Sequence, residues 1–309
     1  MNILVSGVAG DIGFGVGRIL RGLDWVNKIY GIDIQSDHAG NFVFDTCSVS
    51  IRADDPNYLD WLSRYIESNH IDVFIPTSEA EISKISLAKI EYISSALVVM
   101  TNSFVVNKSL DKYECLTYLS SCGIDVPAHG LVGGSLPAFY PVIVKPRSGQ
   151  GSKGIVKVND ASQLPFTAEK KLVWQEYLAS DEDEYTCPVF ASAATGIRVL
   201  ILKRKLQGGF THSGEVIEND EIFEYVKSIA VALELDGVMN VQLRLTSSGP
   251  KLFEINPRIS STLVFRDKMG FNDLKWLLEL RLKKTVSQFS PPVLGTRFYR
   301  GVQEYIAFV

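Results

Sequence analysis

Apolar and polar residues alternate along two segments in the last third of the chain, residues 238–246 and 250–256. Such alternation is typical of β-strands that bury one side, and the intervening residues 247–249, Ser-Ser-Gly, favour a tight reversal. The segments therefore predict a hairpin. Its predicted core face carries Val241, Leu243, Leu245, Phe253 and Ile255. Its other face carries Asn240, Gln242, Arg244, Glu254 and Asn256.

The polar face of this predicted hairpin gathers side-chain oxygens. When the strands are paired across the turn, Gln242 lies opposite Glu254 and Asn240 lies opposite Asn256. One interpretation is a solvated face, which antiparallel sheets often have. The other is a cation site, because amide and carboxylate oxygens suit Mg²⁺, which shares its other positions with water and phosphate oxygens. Arg258, just after the second strand, would then reach a phosphate or a carboxylate.

The N-terminal third of the chain alternates between short apolar runs and amphipathic segments. Residues 2–6, 28–34, 71–76 and 96–101 are apolar enough for buried strands, and residues 56–68 have the spacing of an amphipathic helix. The order of strand, glycine turn, helix and strand predicts a parallel α/β sheet.

A glycine turn, residues 7–13, separates the first predicted strand from the first helix, and Asp33 follows about 20 residues later. This spacing is similar to a dinucleotide-binding fingerprint, so an NAD(P)-dependent sugar oxidoreductase is one alternative function. Such reductases use a tyrosine with a lysine four residues later, and no tyrosine of this chain has a lysine at that offset. We therefore favour glycines that let the helix pack closely on the sheet, without NAD binding.

A second glycine-rich segment lies near the middle of the chain. Residues 140–146 predict an apolar strand that carries Lys145 near its end, and residues 147–154 follow with glycines and cations. Backbone N–H groups of a glycine loop can approach anions, so this arrangement suits a phosphate cover. It differs from a Walker loop, because the lysine precedes the glycines and no Gly-Lys-Ser/Thr ends them.

Five motifs in order along the chain resemble ATP-grasp enzymes, in particular the synthetase half of the carbamoyl phosphate synthase large subunit. They are DKYECLTYLSSCGIDVP, PVIVKP with its glycine loop, the QEYL segment, the NVQLRL strand and FEINPR. The resemblance implies an α/β protein with a Rossmann-like N-terminal domain over residues 1–104. It also implies an α+β ATP-grasp domain over residues 105–309, with a small lobe of about 124–178 and a large lobe of about 179–290.

The resemblance also implies roles for individual residues. Gln242, Glu254 and Asn256 would hold Mg²⁺ ions on the nucleotide phosphates, with Mn²⁺ as an alternative ion. The nucleotide would contact Lys112 and Lys145 at its phosphates, Gly151 in the phosphate cover, Glu176, Tyr177 and Leu178 at the adenine, Glu184 at the ribose, and His212. Arg258 would act in catalysis by steadying the acyl phosphate or the charge of the acceptor. Carbamoyl phosphate synthase has a second arginine three residues later, where this chain has Ser261.

Composition narrows the class of protein. The 309 residues are 46% hydrophobic and 21% charged, as in ordinary globular proteins. The formal charge of -4 gives no reason to expect a nucleic acid or an anionic membrane as a partner. The four cysteines lack a zinc-site spacing and are expected to be buried thiols. With no membrane-length apolar run and no basic leader, the sequence predicts a cytoplasmic location.

The resemblance thus implies an ATP- and Mg²⁺-dependent ligase. It would convert a small carboxylate into an acyl phosphate that an amine then attacks. ATP, the carboxylate and the amine acceptor are its expected partners, and a homodimer is compatible with the sequence. Two alternatives stay open besides the oxidoreductase: a carbamoyl phosphate synthase-like subunit, and a nucleotide-binding module without catalytic activity.

Overall fold

The computed structural model describes residues 1–149, 154–165, 170–179 and 183–307. Within these residues the strands form three sheets, which follow one another along the chain. The helices of the described residues are α1 Asp11–Leu20, α2 Tyr58–Asn69, α3 Glu79–Leu87, α4 Ser103–Ser109, α5 Lys112–Ser121, α6 Asp220–Ala232, α7 Leu263–Lys268 and α8 Asp273–Arg281. Short 3₁₀ helices lie at Ala39–Phe42 and Ala161–Gln163.

The first sheet is built from the N-terminal third of the chain. Its strands are β1 Asn2–Ser6, β2 Lys28–Asp33, β3 Thr46–Val49, β4 Val73–Ile75, β5 Tyr92–Ile93 and β6 Ala96–Val98. They lie in the order β3-β2-β1-β4-β6-β5. All neighbouring pairs are parallel except β5 and β6, as the alternation of strands and helices predicted.

Glycines allow α1 to lie close to its surroundings. A Cβ added at Gly13 would collide with the backbone oxygen of Gly7, and one at Gly15 would come within 2.8 Å of Leu263 Cδ2 on α7. These positions have no room for a larger side chain. The glycines of this turn therefore serve close packing, which is the interpretation that the sequence favoured.

The second sheet is small and antiparallel. Its strands are β7 His129–Leu131, β8 Val142–Pro146, β9 Val156–Val158 and β10 Leu172–Glu176, in the order β7-β10-β8-β9. A compact core lies against it, formed by Val132, Val142, Val144, Val158 and Trp174. Lys145 leaves this sheet near the end of β8.

The third sheet is antiparallel and carries the predicted hairpin. Its strands are β11 Glu184–Ser192, β12 Gly196–Val199, β13 Leu202–Gln207, β14 Phe210–Val216, β15 Gly237–Thr246, β16 Gly249–Asn256 and β17 Arg297–Tyr299. They lie in the order β16-β15-β11-β13-β14-β17, and β12 pairs with β11.

Two cores cover the faces of the third sheet. On one face, Val189, Val241 and other buried side chains pack against α5 and α6. On the other face, Phe190 and Val238 join a core that is shared with α7, α8 and the first sheet. The polar side chains of β15 follow Val238 on this second face. The predicted site therefore lies where the shared core ends.

Several predicted elements differ from the observed ones. Residues 198–205 have the pattern of a single strand, but the structure divides them into β12 and β13. The sequence from Tyr299 onward also favours a strand, but β17 ends at Tyr299. The sequence after Thr77, Ser78 and Glu79 favours a helix that runs toward Ser94, but α3 ends at Leu87. Cys122 is exposed and Cys47 is half-buried, so the expectation of buried thiols was wrong for these two. Among the described helices, none has the length and apolar character that a bilayer crossing demands.

Candidate active site

The hairpin of β15 and β16 has the predicted register at its polar end. Gln242 pairs with Glu254 and Asn240 pairs with Asn256 across the two strands. Beyond this point the register shifts, because β16 contains one extra residue. The shift is a β-bulge, which changes the alternation of one strand relative to the other.

Because of the bulge, the predicted position of one side chain was wrong. Leu252, not Phe253, pairs with Leu243 and is buried in the core beneath the hairpin. Phe253 is the extra residue and is only half-buried. Its backbone oxygen accepts a hydrogen bond of 2.8 Å from Lys145 Nζ. The bulge therefore offers a carbonyl group to a lysine of the second sheet.

The three predicted metal ligands lie together on the polar face. Gln242 Nε2 donates to Asn256 Oδ1 at 3.1 Å, and Glu254 Oε1 lies 3.7 Å from Lys112 Nζ. Arg204 Nη2 donates to Gln242 Oε1 at 2.8 Å. A carboxylate beside two amide oxygens is a donor set that fits Mg²⁺. Gln242 and Asn256 would exchange their present hydrogen bonds for the ion.

Asn240 lies on the same face but is buried. Its Oδ1 accepts hydrogen bonds from Thr186 Oγ1 at 2.9 Å and from Ser260 Oγ at 3.1 Å. Ser260 belongs to the loop that follows Asn256. Asn240 therefore fixes the loop that carries Arg258, and it stands apart from the three metal-ligand candidates.

The two predicted phosphate lysines reach the hairpin from different elements. Lys145 is only 6% exposed, and burial lowers its pKa to about 8, with a smaller lowering from Lys112 and an opposing effect of Glu254. Lys112 begins α5, and its Nζ donates to the backbone oxygen of Gly149 at 2.7 Å. Two ammonium groups and one carboxylate thus face the edge of β16.

The glycine loop lies partly outside the described residues. Gly151, predicted to cover the phosphates, is among the residues that the structure leaves undescribed. The flanking Gly149 and Gly154 have φ values of +115° and +72°. Glycine adopts such values far more readily than other residues do.

The segment predicted to contact adenine lies at the end of β10. Glu176 Oε2 accepts from the backbone N–H of Ala128 at 3.1 Å and pairs with Lys251 Nζ at 3.2 Å. The ring of Tyr177 has an ammonium group, Lys157 Nζ, 3.8 Å from its centre. Leu178 is buried. These contacts tie the end of the second sheet to the hairpin.

Glu184, predicted to bind ribose, lies between two arginines. Its Oε1 accepts from Arg204 Nη2 at 2.8 Å, and its Oε2 accepts from Arg244 Nη2 at 3.0 Å. Arg244 Nη1 also donates to the backbone oxygen of Leu178 at 2.6 Å. The ribose role of Glu184 stays a prediction, since a ribose would compete with these arginines. The sequence analysis did not identify Arg204 as a site residue, although a charged residue in an apolar strand was a signal of such a role.

Arg258 forms an ion pair with a residue of the first sheet's domain, and His212 lies on β14. Arg258 Nη2 is 3.0 Å from Glu79 Oε1, with the two side chains 10% and 17% exposed. His212 is exposed on β14, and its backbone oxygen accepts from the N–H of Arg300 at 2.7 Å. Arg300 Nη2 donates to the backbone oxygen of Ser261 at 2.9 Å, so a guanidinium does lie beside that position.

Comparisons with known proteins show similarity to ATP-grasp proteins. Residues 168–301 match the family model described as ATP-grasp in the biosynthetic pathway with Ter operon. The carbamoyl phosphate synthase large chain of Clostridium acetobutylicum is 26% identical over 171 residues, which make up 48% of this chain and 16% of that one. The chain thus spans a small part of that relative's length.

Solved structures extend the likeness over nearly the whole chain. The biotin carboxylase domain of Hydrogenobacter thermophilus 2-oxoglutarate carboxylase, in complex with MgADP and bicarbonate, has a TM-score of 0.73 at 12% identity, covering 96% of this chain and 73% of that one. The L-amino acid ligase from Bacillus licheniformis has a TM-score of 0.68 at 16% identity, covering 91% and 74%. At such identities these structures show the fold. Together with the family model over residues 168–301 and the sequence relative, they support an ATP-grasp protein.

Proposed function

We propose that this protein is an ATP- and Mg²⁺-dependent ligase that phosphorylates a carboxylate and transfers the acyl group to an amine. One observation carries the proposal: Gln242, Glu254 and Asn256 share one side of a hairpin whose edge faces Lys112 and Lys145. The side-chain oxygens would bind Mg²⁺, and the two cationic side chains would bind the negatively charged triphosphate.

The proposal includes the division of the chain. A Rossmann-like domain over 1–104 precedes the ATP-grasp domain over 105–309, whose lobes span about 124–178 and 179–290. The boundaries of the three sheets support this division, because the sheets occupy 2–98, 129–176 and 184–299. We place the reaction in the cytoplasm and expect Mn²⁺ to replace Mg²⁺.

The residues of the site would have different roles in phosphoryl transfer. Lys112 and Lys145 would hold the phosphates and offset their charge. Bound Mg²⁺ would supply electrostatic stabilisation of the transferring phosphoryl group. Arg258 would hold the reacting carboxylate and then the acyl phosphate, since its guanidinium can bind either group. Orientation of the carboxylate toward the γ-phosphorus is the main contribution expected of these side chains.

An amine acceptor explains the sequence better than carbamate phosphorylation. The chain has Ser261 where the resembling synthase has an arginine. An amine that attacks the acyl phosphate would form an amide and release phosphate. ADP release with carboxylates and amines, set against bicarbonate and ammonia, separates the two functions.

The test is turnover of MgATP by the purified protein with a panel of carboxylates. Hydroxylamine traps an acyl phosphate as a hydroxamate, which can be measured beside ADP release. Replacing Glu254→Gln is expected to weaken Mg²⁺ activation by at least about tenfold, since a charged ligand is lost. Glu218→Gln, at an exposed position, is the matched control.

Two results would contradict the proposal. One is a failure of MgATP to bind to the folded protein. The other is ADP release that does not depend on any carboxylate and is never accompanied by a hydroxamate. Equal Mg²⁺ activation of the Glu254→Gln and Glu218→Gln variants would show that the hairpin does not bind the metal through Glu254.

A further inference from the structure

A buried guanidinium lies between the carboxylate of Glu184 and the metal-ligand candidate Gln242. Arg204 belongs to β13 and is only 8% exposed. Its Nε and Nη2 donate to Glu184 Oε1 at 3.1 and 2.8 Å, and its Nη1 donates to Thr211 Oγ1 at 3.3 Å. Nη2 also donates to Gln242 Oε1 at 2.8 Å. Arg204 therefore connects the carboxylate on β11 to the polar face of the hairpin.

The contact with Arg204 fixes the orientation of the Gln242 amide. A guanidinium has only donors, so the amide atom that it contacts is the oxygen. The nitrogen of the same amide donates to Asn256 Oδ1 at 3.1 Å. The side-chain oxygens of both amides thus accept hydrogen bonds from the protein itself. The oxygen with which Gln242 would bind a cation lies against a positive charge.

A divalent cation without an anion is disfavoured at Gln242 for two reasons. It would come close to the guanidinium, and like charges repel strongly where little water screens them. It would also take the oxygen that accepts from Nη2, and a buried donor without an acceptor costs free energy. Glu184 holds the guanidinium in place, because their ion pair is 2.8 Å long and both side chains are 8% exposed. The free ion is therefore a poor ligand of this face.

A metal–nucleotide complex removes both disadvantages. Its phosphate oxygens offset the positive charges of the ion and the guanidinium. One of these oxygens can also accept the N–H group that Gln242 no longer binds. A guanidinium suits this exchange, because its five N–H donors point in several directions and allow Arg204 to keep Glu184 while it binds a phosphate.

We propose that Arg204 is a specificity-determining residue that makes the hairpin select a metal–nucleotide complex over a free divalent cation. This inference rests on the function proposed above, which assigns the metal and the nucleotide to the polar face of β15 and β16. Without a nucleotide, Arg204 holds the oxygen of Gln242. With one, Arg204 donates to a phosphate oxygen and leaves the oxygen of Gln242 to the ion.

Binding measurements on the full-length protein test this role, with Mn²⁺ as the probe ion. Equilibrium dialysis measures the binding of Mn²⁺ alone, and calorimetric titration measures that of MnADP. Arg204→Met removes the guanidinium, while Glu184 keeps its other partner, Arg244 Nη2, at 3.0 Å. We expect the Kd for Mn²⁺ alone to fall at least about tenfold in this variant, because the repulsion is removed. We expect the Kd for MnADP to rise at least about tenfold, because a charged hydrogen bond to a phosphate is lost.

Opposite changes in the two constants separate this role from a loss of structure, which would weaken the binding of both ligands. Arg204→Lys keeps the charge, so it should bind Mn²⁺ alone as weakly as the wild type does. Its affinity for MnADP should lie between those of the wild type and Arg204→Met. Lys205→Met is the matched control, because Lys205 is an exposed cation on the same strand. It should change neither constant by more than about twofold.

Arg204→Met that binds Mn²⁺ alone no more tightly than the wild type, or MnADP no more weakly, overturns the inference. Wild-type protein that binds Mn²⁺ alone as tightly as MnADP also overturns it, and this measurement needs no variant. The expected changes in binding, found in a protein without carboxylate-dependent turnover, overturn the proposed ligase function and support the inference. A wild-type protein that does not bind MnADP overturns both.

Discussion

Lys145 carries its amino group into a place from which water is largely excluded. β8 delivers the side chain to the edge of β16, where it donates to the backbone oxygen of Phe253. Burial lowers its pKa to about 8, since water no longer stabilises the charged form. A negative phosphate would stabilise that form again. The charge state of Lys145 and nucleotide binding should therefore depend on each other.

We predict that MgATP affinity falls as pH rises through about 8. Below this pH Lys145 is mostly protonated in the free protein; above it, the ammonium form must be restored by proton uptake when phosphate binds. Calorimetric titration at pH 7, 8 and 9, in buffers of different ionisation enthalpy, measures affinity and proton uptake. Lys145→Arg should abolish the pH dependence, because arginine stays charged. An unchanged profile in this variant would assign the dependence to another group.

The close approach of α1 to the turn before it depends on Gly13. α1 approaches the preceding turn so closely that a Cβ at Gly13 collides with the backbone oxygen of Gly7. Gly13→Ala should lower the free energy of unfolding by about 1–3 kcal/mol, since backbone must shift to admit the methyl group. Urea denaturation measures the loss. Gly22→Ala is the matched control, because its Cβ would come no closer than 3.4 Å to its nearest neighbour, Ile19 O. Equal stability of the two variants would contradict close packing at Gly13.

The loop that carries Arg258 depends on a buried ion pair between α7 and α8. Arg266 is fully buried, binds Asp273 through Nε and Nη2, and donates to Ser260 Oγ and Thr262 Oγ1. The ion pair thus connects both helices to the loop beside the metal hairpin. Its loss should affect stability and site geometry together.

Arg266→Met is therefore expected to cost about 3–5 kcal/mol, because Asp273 would remain buried without its partner. The double variant Arg266→Met with Asp273→Leu should regain much of that stability, since no charge is left unpaired. Thermal and urea unfolding of the single and double variants measure the coupling. Purely additive losses would mean that the two residues act independently.

The sequence predicted those elements whose pattern is local. The register of Gln242 with Glu254 followed from alternation across a tight turn. The bulge at Phe253 was not predictable, because an extra residue leaves the apolar pattern nearly unchanged. The partners of Glu184 and Glu79 were missed for another reason: all three ion pairs join separate elements of the chain, and no spacing rule connects them.

At the scale of the whole molecule, two of the three sheets share one hydrophobic core, and the remaining sheet has a core of its own. The first and third sheets pack into a common core through α1, α7 and α8. Arg281 reinforces the connection, with Nη1 2.6 Å from Asp236 Oδ2 and Nε donating to the backbone oxygen of Met100. The second sheet has its own small core. These parts should differ in local stability.

We predict that amides of β7–β10 exchange hydrogen with solvent faster than those of β1, β11 and β15. A small core protects the second sheet, so it opens at a lower free energy than the shared core does. Hydrogen exchange followed by mass spectrometry measures this difference. MgATP should slow exchange in β8 and β10 and leave β1 unchanged. Equal rates in all three sheets would indicate a single cooperative unit.

The extra residue in β16 also limits how the hairpin can be transplanted or can diverge. Leu252 and Glu254 are two positions apart, yet one is buried and the other lies on the polar face, because Phe253 separates them without a partner. A deletion of Phe253 would make Leu252 and Glu254 consecutive and keep them on opposite faces, but it would remove the backbone oxygen that accepts from Lys145 Nζ. Hairpins that keep this contact with the lysine should therefore keep the extra residue, and a graft that includes the lysine must include the bulge.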